Sequence, residues 1–165
     1  MAARFRMSDL GALSYYLGIK VKQGKEALLL GQSTYASKLL EWSGMAECKP
    51  CLTPMEERLK LTKASTMAKV DATLYRSIIG DLCYLVHMRP DIAFVVGYIS
   101  RFIEDHWAAV KRLLRYVTVD QVIVFPKTSG SGMRLTVFSD VDMAGDIDGQ
   151  WSTSGVLVFL GSAPI

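Results

Sequence analysis

An α+β fold is the class this sequence predicts, and three features of its hydrophobic pattern predict it. Aromatic and β-branched residues crowd an N-terminal stretch around a turn-like insert, and apolar residues then recur at helical spacing through the middle of the chain. Near the C-terminus the period returns to that of strands. The order strands, helices, strands, without an internal repeat, fits segregated helices and sheets, with the last strands opening a separate sheet. The 165 residues are 50% hydrophobic and 21% charged, a balance that supports a core and excludes a disordered chain. That length fits one domain or two small pieces sharing one.

The elements follow in order. Leu13 to Val21 and Glu26 to Leu30 flank Gln23-Gly24-Lys25 and read as a β-hairpin. From Ser33, the residues Tyr35, Leu39, Leu40 and Trp42 fit a short amphipathic helix capped by Ser33 or Thr34 and ended by Gly44. Residues 48–70 carry Pro50 and Pro54 with no clear period and are expected to be a linker crossing the surface. A broad apolar face built on Ile78, Leu82 and Leu85 predicts a helix from about Asp71 to Met88, broken at Arg89-Pro90. Pro90 then opens a second helix to about Phe102, with Asp91 well placed against its N-terminal dipole. A third, from about Asp105 to Val117, puts Trp107, Val110, Leu114 and Val117 on one stripe and Lys111, Arg112 and Arg115 on an adjoining face. Val122 to Phe125, Leu135 to Phe138 and Val156 to Leu160 read as strands.

Lys and Arg number 19 against 16 Asp and Glu, a net charge of +3, so composition alone announces no nucleic-acid partner. No apolar run approaches the roughly 18–20 residues a membrane span needs, and Met1 to Arg6 lacks an apolar signal core. An intracellular location, cytoplasmic or nuclear, is expected. The cysteines Cys48, Cys51 and Cys83 are too few for a disulfide scaffold. Cys48-Lys49-Pro50-Cys51 has dithiol spacing, but Leu52-Thr53-Pro54 breaks the helix such a motif opens; zinc would need Cys83 and His87 as further ligands. No nucleophile elbow and no phosphate loop occur.

Two segments carry chemistry. If Asp140 ends a strand, Asp142 shares its face, and the pair can hold a divalent metal or simply form an acidic, glycine-bearing turn. Lys111, Arg112 and Arg115, with Arg101 and Arg89 upstream, either track a phosphate backbone or form a solvated helix face.

Longer motifs add to this reading. Phe5-x-Met7-x-Asp9-Leu10-Gly11-x-Leu13-x-Tyr15-Tyr16-Leu17-Gly18-Ile19-x-Val21, Gln32-x-x-Tyr35, Cys48-Lys49-Pro50 and Thr53-Pro54 resemble the reverse transcriptase of copia-type LTR retrotransposons. Tyr75-Arg76, Gly80, Tyr84-Leu85, Arg89-Pro90-Asp91-Ile92, Ser100-Arg101-Phe102, His106-Trp107 to Tyr116, Ser139-Asp140-x-Asp142-x-Ala144-Gly145-Asp146 and Ser152-Thr153-Ser154-Gly155 continue the match in order.

The resemblance implies that residues 1–31 end the polymerase palm, with Tyr16, Leu17 and Gly18 in the primer grip. Residues 32–70 would begin the thumb, 71–125 would form a helical thumb and connection, and 134–165 would be the first strands of an incomplete RNase H-like fold. Asp140 would be the first RNase H carboxylate, a vestigial catalytic residue and a partial Mg²⁺ ligand, and Lys111, Arg112 and Arg115 would contact nucleic acid. The complete family enzyme uses Mg²⁺ for two-metal phosphodiester hydrolysis. The departures are equally informative. No adjacent Asp-Asp occurs, Met143 stands where the family usually has Trp, Val141 replaces a usual Ala, and the last acidic residue is Asp148. The expectation is a truncated, degenerate Pol fragment without polymerase or nuclease activity of its own and with no cofactor. Its expected partners are an RNA/DNA hybrid or primer-template, held weakly or not at all, and the remainder of Pol; the alternative is a non-catalytic nucleic-acid-binding or domesticated protein-interaction module.

Overall fold

The computed structural model describes residue 8 and residues 11–62, 70–102, 106–127, 134–141, 143–146 and 148–165. Among them the chain forms two antiparallel sheets and four α-helices.

The first sheet contains β1 (Tyr15–Tyr16), β2 (Ile19–Gln23), β3 (Ala27–Gly31) and β4 (Val122–Pro126), in that spatial order. Two hairpins build its N-terminal part where the sequence suggested one. The predicted turn at Gly24 is present, closed by the Gly24 N–H donating to the Ala27 carbonyl at 2.8 Å. A second, tighter turn joins β1 to β2 through Leu17 and Gly18, at φ +47° and +79°. Positive φ at both central residues makes a two-residue turn match the twist of its strands. Gly18 adopts that conformation freely, whereas Leu17 does so against its Cβ. The strand pattern of β4 groups it with the C-terminal strands, yet it pairs with β3, Leu30 facing Ile123 and Leu28 facing Phe125. Strand pattern reports burial, not partners, so this long-range pairing left no local trace.

Helix α1 (Ser33–Trp42) starts directly after β3, with Gln32 rather than Ser33 or Thr34 at the cap and no side-chain bond there. Gly44 follows the helix at φ +71°, as expected for a left-handed stop. Asp71 caps α2 (Ala72–Leu85) by accepting from the Thr73 N–H at 2.8 Å. Pro90–Ile92 forms a 3-10 turn leading into α3 (Ala93–Ile99), and α4 (Trp107–Val117) follows. Asp105, the expected start of α4, lies outside the described residues.

The core is helical. Leu39, Ile78, Leu82, Leu85, Ile92, Ile99, Val110, Leu113 and Leu114 are all buried in one cluster. Full burial of each such side chain contributes roughly 1.5–3 kcal/mol. Tyr75 is buried among them and donates its hydroxyl to the Ile99 carbonyl at 3.0 Å, tying α2 to the end of α3.

The segment after α1 corrects the expectation of a surface linker. Leu61 is buried in the core cluster, with Met55 and Leu59 packed against it. The Leu61 N–H donates to the Tyr98 hydroxyl at 3.0 Å, and the Cys51 N–H reaches the Arg115 carbonyl at 3.2 Å. An irregular path hid the apolar anchors, because they follow no single period.

The second sheet contains β5 (Leu135–Val141), β6 (Ser154–Leu160) and β7 (Ala163–Pro164), ordered β5-β6-β7. β7 lies against β4, which links the two sheets. Leu135, Val137, Val141 and Val156 on one face of β5 and β6 are all more than half exposed. This sheet therefore contributes little to the core.

Candidate functional site

The most fully constructed surface feature is the tip of the β1–β2 hairpin. Tyr16 and Leu17 are 60% and 66% exposed there. The turn beneath them is held from the helices: the Tyr84 hydroxyl on α2 donates to the Leu17 carbonyl. Gly18 lies over two aromatic rings, where an added Cβ would make ordinary contact with Tyr35 and Tyr84 at 3.7 Å, so it is the positive φ that favours glycine there. Those two rings pack edge to face at 4.9 Å between centroids, and the Tyr35 hydroxyl donates to Asp81 at 2.7 Å. Burial first, and then the hydrogen bond and charge of Asp81, push the Tyr35 phenol well above its ordinary pKa. Tyr35 therefore stays a neutral donor. Beside the tip, Leu13, Tyr16, Ile19, Val21, Leu28 and Leu30 line an open apolar groove of about 410 Å³.

Tyr35, Asp81 and Tyr84 are the residues that sequence reasoning missed as parts of this site. Tyr35 and Tyr84 stood in the quoted motifs, but nothing local says that Tyr84 meets a carbonyl 67 positions upstream.

The basic helix divides in two. Lys111 is exposed on α4 and forms no ion pair among the described residues. Arg112 and Arg115 turn instead onto the segment between α1 and α2. Arg112 donates to the Thr53 hydroxyl at 2.8 Å and pairs with Glu56 at 3.3 Å, and Arg115 donates to the Lys49 carbonyl at 2.8 Å. Both are part-exposed, so each guanidinium pins that segment while keeping an edge toward solvent.

Arg89 departs from the phosphate-tracking reading altogether. Its side chain is 6% exposed and forms a two-pronged pair with Asp91, at 2.9 Å from Nη2 and 3.0 Å from Nε. Nη1 donates to the Val119 carbonyl at 2.9 Å, and the guanidinium lies 5.2 Å from the Tyr116 ring centroid. Burial alone would raise the Asp91 carboxyl, but the hydrogen bonds and charge of Arg89, with Tyr116 adding a bond, hold it below the usual carboxylate value. A buried, fully engaged guanidinium is a fastening between the start of α3 and the end of α4.

Asp140 sits exposed near the end of β5, opposite Gly155, and accepts from the Val141 N–H at 2.9 Å. Asp142 lies outside the described residues. Across a cleft of about 640 Å³, Phe94 and Tyr98 of α3 and Arg101 just beyond it face this strand, and Arg101 donates to the Thr153 hydroxyl at 3.3 Å. No group of three or more His, Cys, Asp or Glu side chains suited to a metal occurs among the described residues. Asp140 by itself does not fit a pair of Mg²⁺ ions, which needs several clustered carboxylates. The same finding bears on zinc: Cys51 lies beside α4, its N–H on the Arg115 carbonyl, and Cys83 is exposed on α2, and these two and Cys48 are free thiols. The Thr53 N–H, aided by Arg112 and Arg115 against an opposing effect of burial, holds the Cys51 thiol below its ordinary value.

Residues 1–57 match the family model described as reverse transcriptase (RNA-dependent DNA polymerase). Over 171 residues the chain is 40% identical to the Retrovirus-related Pol polyprotein from transposon RE2 of Arabidopsis thaliana, covering 100% of this chain and 12% of that protein. It is 39% identical over 182 residues to the Pol polyprotein from transposon TNT 1-94 of Nicotiana tabacum, covering 99% of this chain and 13% of that one. It is also 37% identical over 168 residues to the Uncharacterized mitochondrial protein AtMg00810 of Arabidopsis thaliana, covering 98% of this chain and 68% of that protein. No solved structure matches. The chain belongs to the copia-type retrotransposon Pol family, of whose long polyproteins it spans about an eighth. No helix among the described residues is long and apolar enough to cross a membrane.

Proposed function

We propose that this chain is the grip-and-thumb part of a copia-type Pol polyprotein and that it holds a primer-template without itself making or cutting a strand. In this reading residues 1–31 end the palm with the primer grip, 32–70 begin the thumb, 71–125 form thumb and connection, and 134–165 are strands of an RNase H-like domain. The polyprotein remainder supplies the catalytic residues, which in the complete enzyme hold Mg²⁺, inside the cell, in cytoplasm or nucleus.

The observation that carries the reading is the brace between Tyr84 and the Leu17 carbonyl, with Gly18 seated on Tyr35 and Tyr84. It fixes an exposed Tyr16-Leu17 edge relative to the helices before any ligand arrives, and preorganisation lowers the ordering cost of binding. Lys111 supplies an exposed cation on α4, and Arg112 and Arg115 retain partial exposure for phosphate.

The test is fluorescence anisotropy of a labelled RNA/DNA primer-template titrated with the chain across a salt series. Submicromolar, reversible binding with a steep salt slope is expected. No binding at low salt by demonstrably folded protein would sink the proposal. Mg²⁺-dependent cleavage of the RNA strand of a hybrid, lost in Asp140→Ala, would overturn its non-catalytic half.

A further inference from the structure

Thr53 stands apart from the hairpin tip, on the segment that lies across α4. Pro54 follows it, and no other serine or threonine in the sequence precedes a proline. Residues 52–55 form a run of bends outside any helix or strand, and Leu52 and Thr53 are both exposed. A proline disfavours helical backbone at the residue before it, so the sequence itself keeps Thr53 out of a helix. The Thr53 hydroxyl accepts from Arg112 Nη2 at 2.8 Å, a bond that engages a lone pair and not the hydroxyl proton. An exposed hydroxyl on irregular backbone, marked by the proline after it, has the chemistry of a kinase acceptor.

The surroundings suit an added dianion. Arg112 already reaches the hydroxyl oxygen, and its other partner, Glu56 at 3.3 Å, has a side chain 63% exposed, so that contact exchanges with solvent at little cost. Arg115, nearly one turn further along α4, donates through Nε to the Lys49 carbonyl at 2.8 Å, and its own carbonyl accepts from the Cys51 N–H at 3.2 Å. These bonds hold the backbone from Lys49 to Thr53 beside both guanidiniums. Both lie close enough to the Cys51 thiol, two residues before Thr53, to add to the lowering that the Thr53 N–H produces there. A phosphoryl group on the Thr53 oxygen would bring a charge of about −1.5 to −2 and three acceptor oxygens, more of each than Glu56 offers. Arg112 can meet two of those oxygens at once while Glu56 turns out into solvent.

We propose that Thr53 is a phosphorylation site for a proline-directed protein kinase, and that its phosphate closes onto Arg112 and fastens the segment to α4. In the transfer the Thr53 oxygen attacks the γ-phosphorus of a nucleoside triphosphate and the bond from that phosphorus to the β,γ-bridging oxygen breaks. Nucleoside diphosphate leaves with the electron pair, and the hydroxyl proton passes to the kinase's base. The modification also withdraws Arg112, with Arg115 beside it, from any nucleic-acid phosphate. That consequence, unlike the site itself, rests on the primer-template reading.

The full chain is incubated with ATP and a purified proline-directed kinase that is active on a control Thr-Pro peptide, and the product is mapped by mass spectrometry. One phosphoryl group on Thr53 is expected, absent from Thr53→Ala and also from Pro54→Ala, which keeps the hydroxyl. Phosphorylation should raise the melting temperature by about 2–4 °C. Arg112→Gln should still be phosphorylated but lose that rise. Failure to modify the chain, modification that leaves Thr53 untouched, or a change in melting temperature that is the same with and without Arg112 would each overturn the proposal. In anisotropy with the primer-template, the phosphorylated chain should show a salt slope smaller by about one to two. A chain that binds no primer-template before modification sinks that reading alone, and the mapping and melting temperatures still decide the site. Binding whose salt slope is unchanged by phosphorylation would overturn the closure onto Arg112.

Discussion

Single side chains decide more here by what they fasten than by what they present. The Tyr84 hydroxyl meets the Leu17 carbonyl at an exposed turn, so a phenylalanine there leaves a carbonyl that water can satisfy. Tyr84→Phe should lower stability by no more than about 1 kcal/mol, the net worth of an ordinary hydrogen bond, yet weaken primer-template affinity several-fold because the grip is no longer fixed in advance. Thermal unfolding beside anisotropy separates the two effects. The Arg89–Asp91 pair makes a second prediction. Because the folded-state carboxyl is held below its unfolded value, the folded protein binds fewer protons than the unfolded chain. The pair's contribution is complete above the unfolded-chain value of about 3.9 and is lost as the pH falls through the lower folded value. Asp91→Asn should cost about 2 kcal/mol at neutral pH and flatten the acid limb of the stability curve, checked by urea unfolding from neutral pH downward.

At the scale of elements, α4 carries two jobs on one helix. Its apolar stripe, Val110, Leu113, Leu114 and Val117, is buried, while its basic residues split between solvent and the segment they pin. Reversing Lys111 and reversing Arg115 should consequently differ in kind. Lys111→Glu should reduce the salt slope of primer-template binding by about one to two with the melting temperature unchanged. Arg115→Glu should also lower the melting temperature, because it frees the Lys49 carbonyl and places a carboxylate against it. Equal melting temperatures for the two variants would show that the segment from Cys48 to Glu56 does not depend on α4. The helical spacing of α4 was legible in the sequence; the direction its arginines take was not, since periodicity assigns a face but not the chain segment that lies across it.

The molecule as a whole has its stability unevenly placed. The buried cluster unites all four helices with Leu61 and Phe102, whereas β5 and β6 keep apolar residues exposed on one face. Hydrogen exchange should therefore show the amides of α2 and α4 protected to nearly the global unfolding free energy, and those of β5 and β6 opening at much lower cost. Ile78→Ala, in the buried cluster, should destabilise by about 2–5 kcal/mol, against a few tenths for Val156→Thr on the open sheet face. Uniform protection across both sheets and the helices would contradict this division.

The sequence by itself determined what depends on neighbours in the chain. Apolar spacing set α1, α2 and α4, Pro90 broke the helical run, Gly44 ended α1, and the ordered motifs identified the family. Tertiary structure alone decided what depends on residues far apart: β4 returning to β3, Leu61 entering the core, Arg89 burying itself on Asp91 and Val119, and Tyr84 reaching the Leu17 carbonyl. The division has a physical cause. Helical periodicity and turn chemistry are local free-energy preferences written in consecutive residues, whereas strand partners and the destinations of long polar side chains are fixed by which surfaces remain unpaired once the helices have packed.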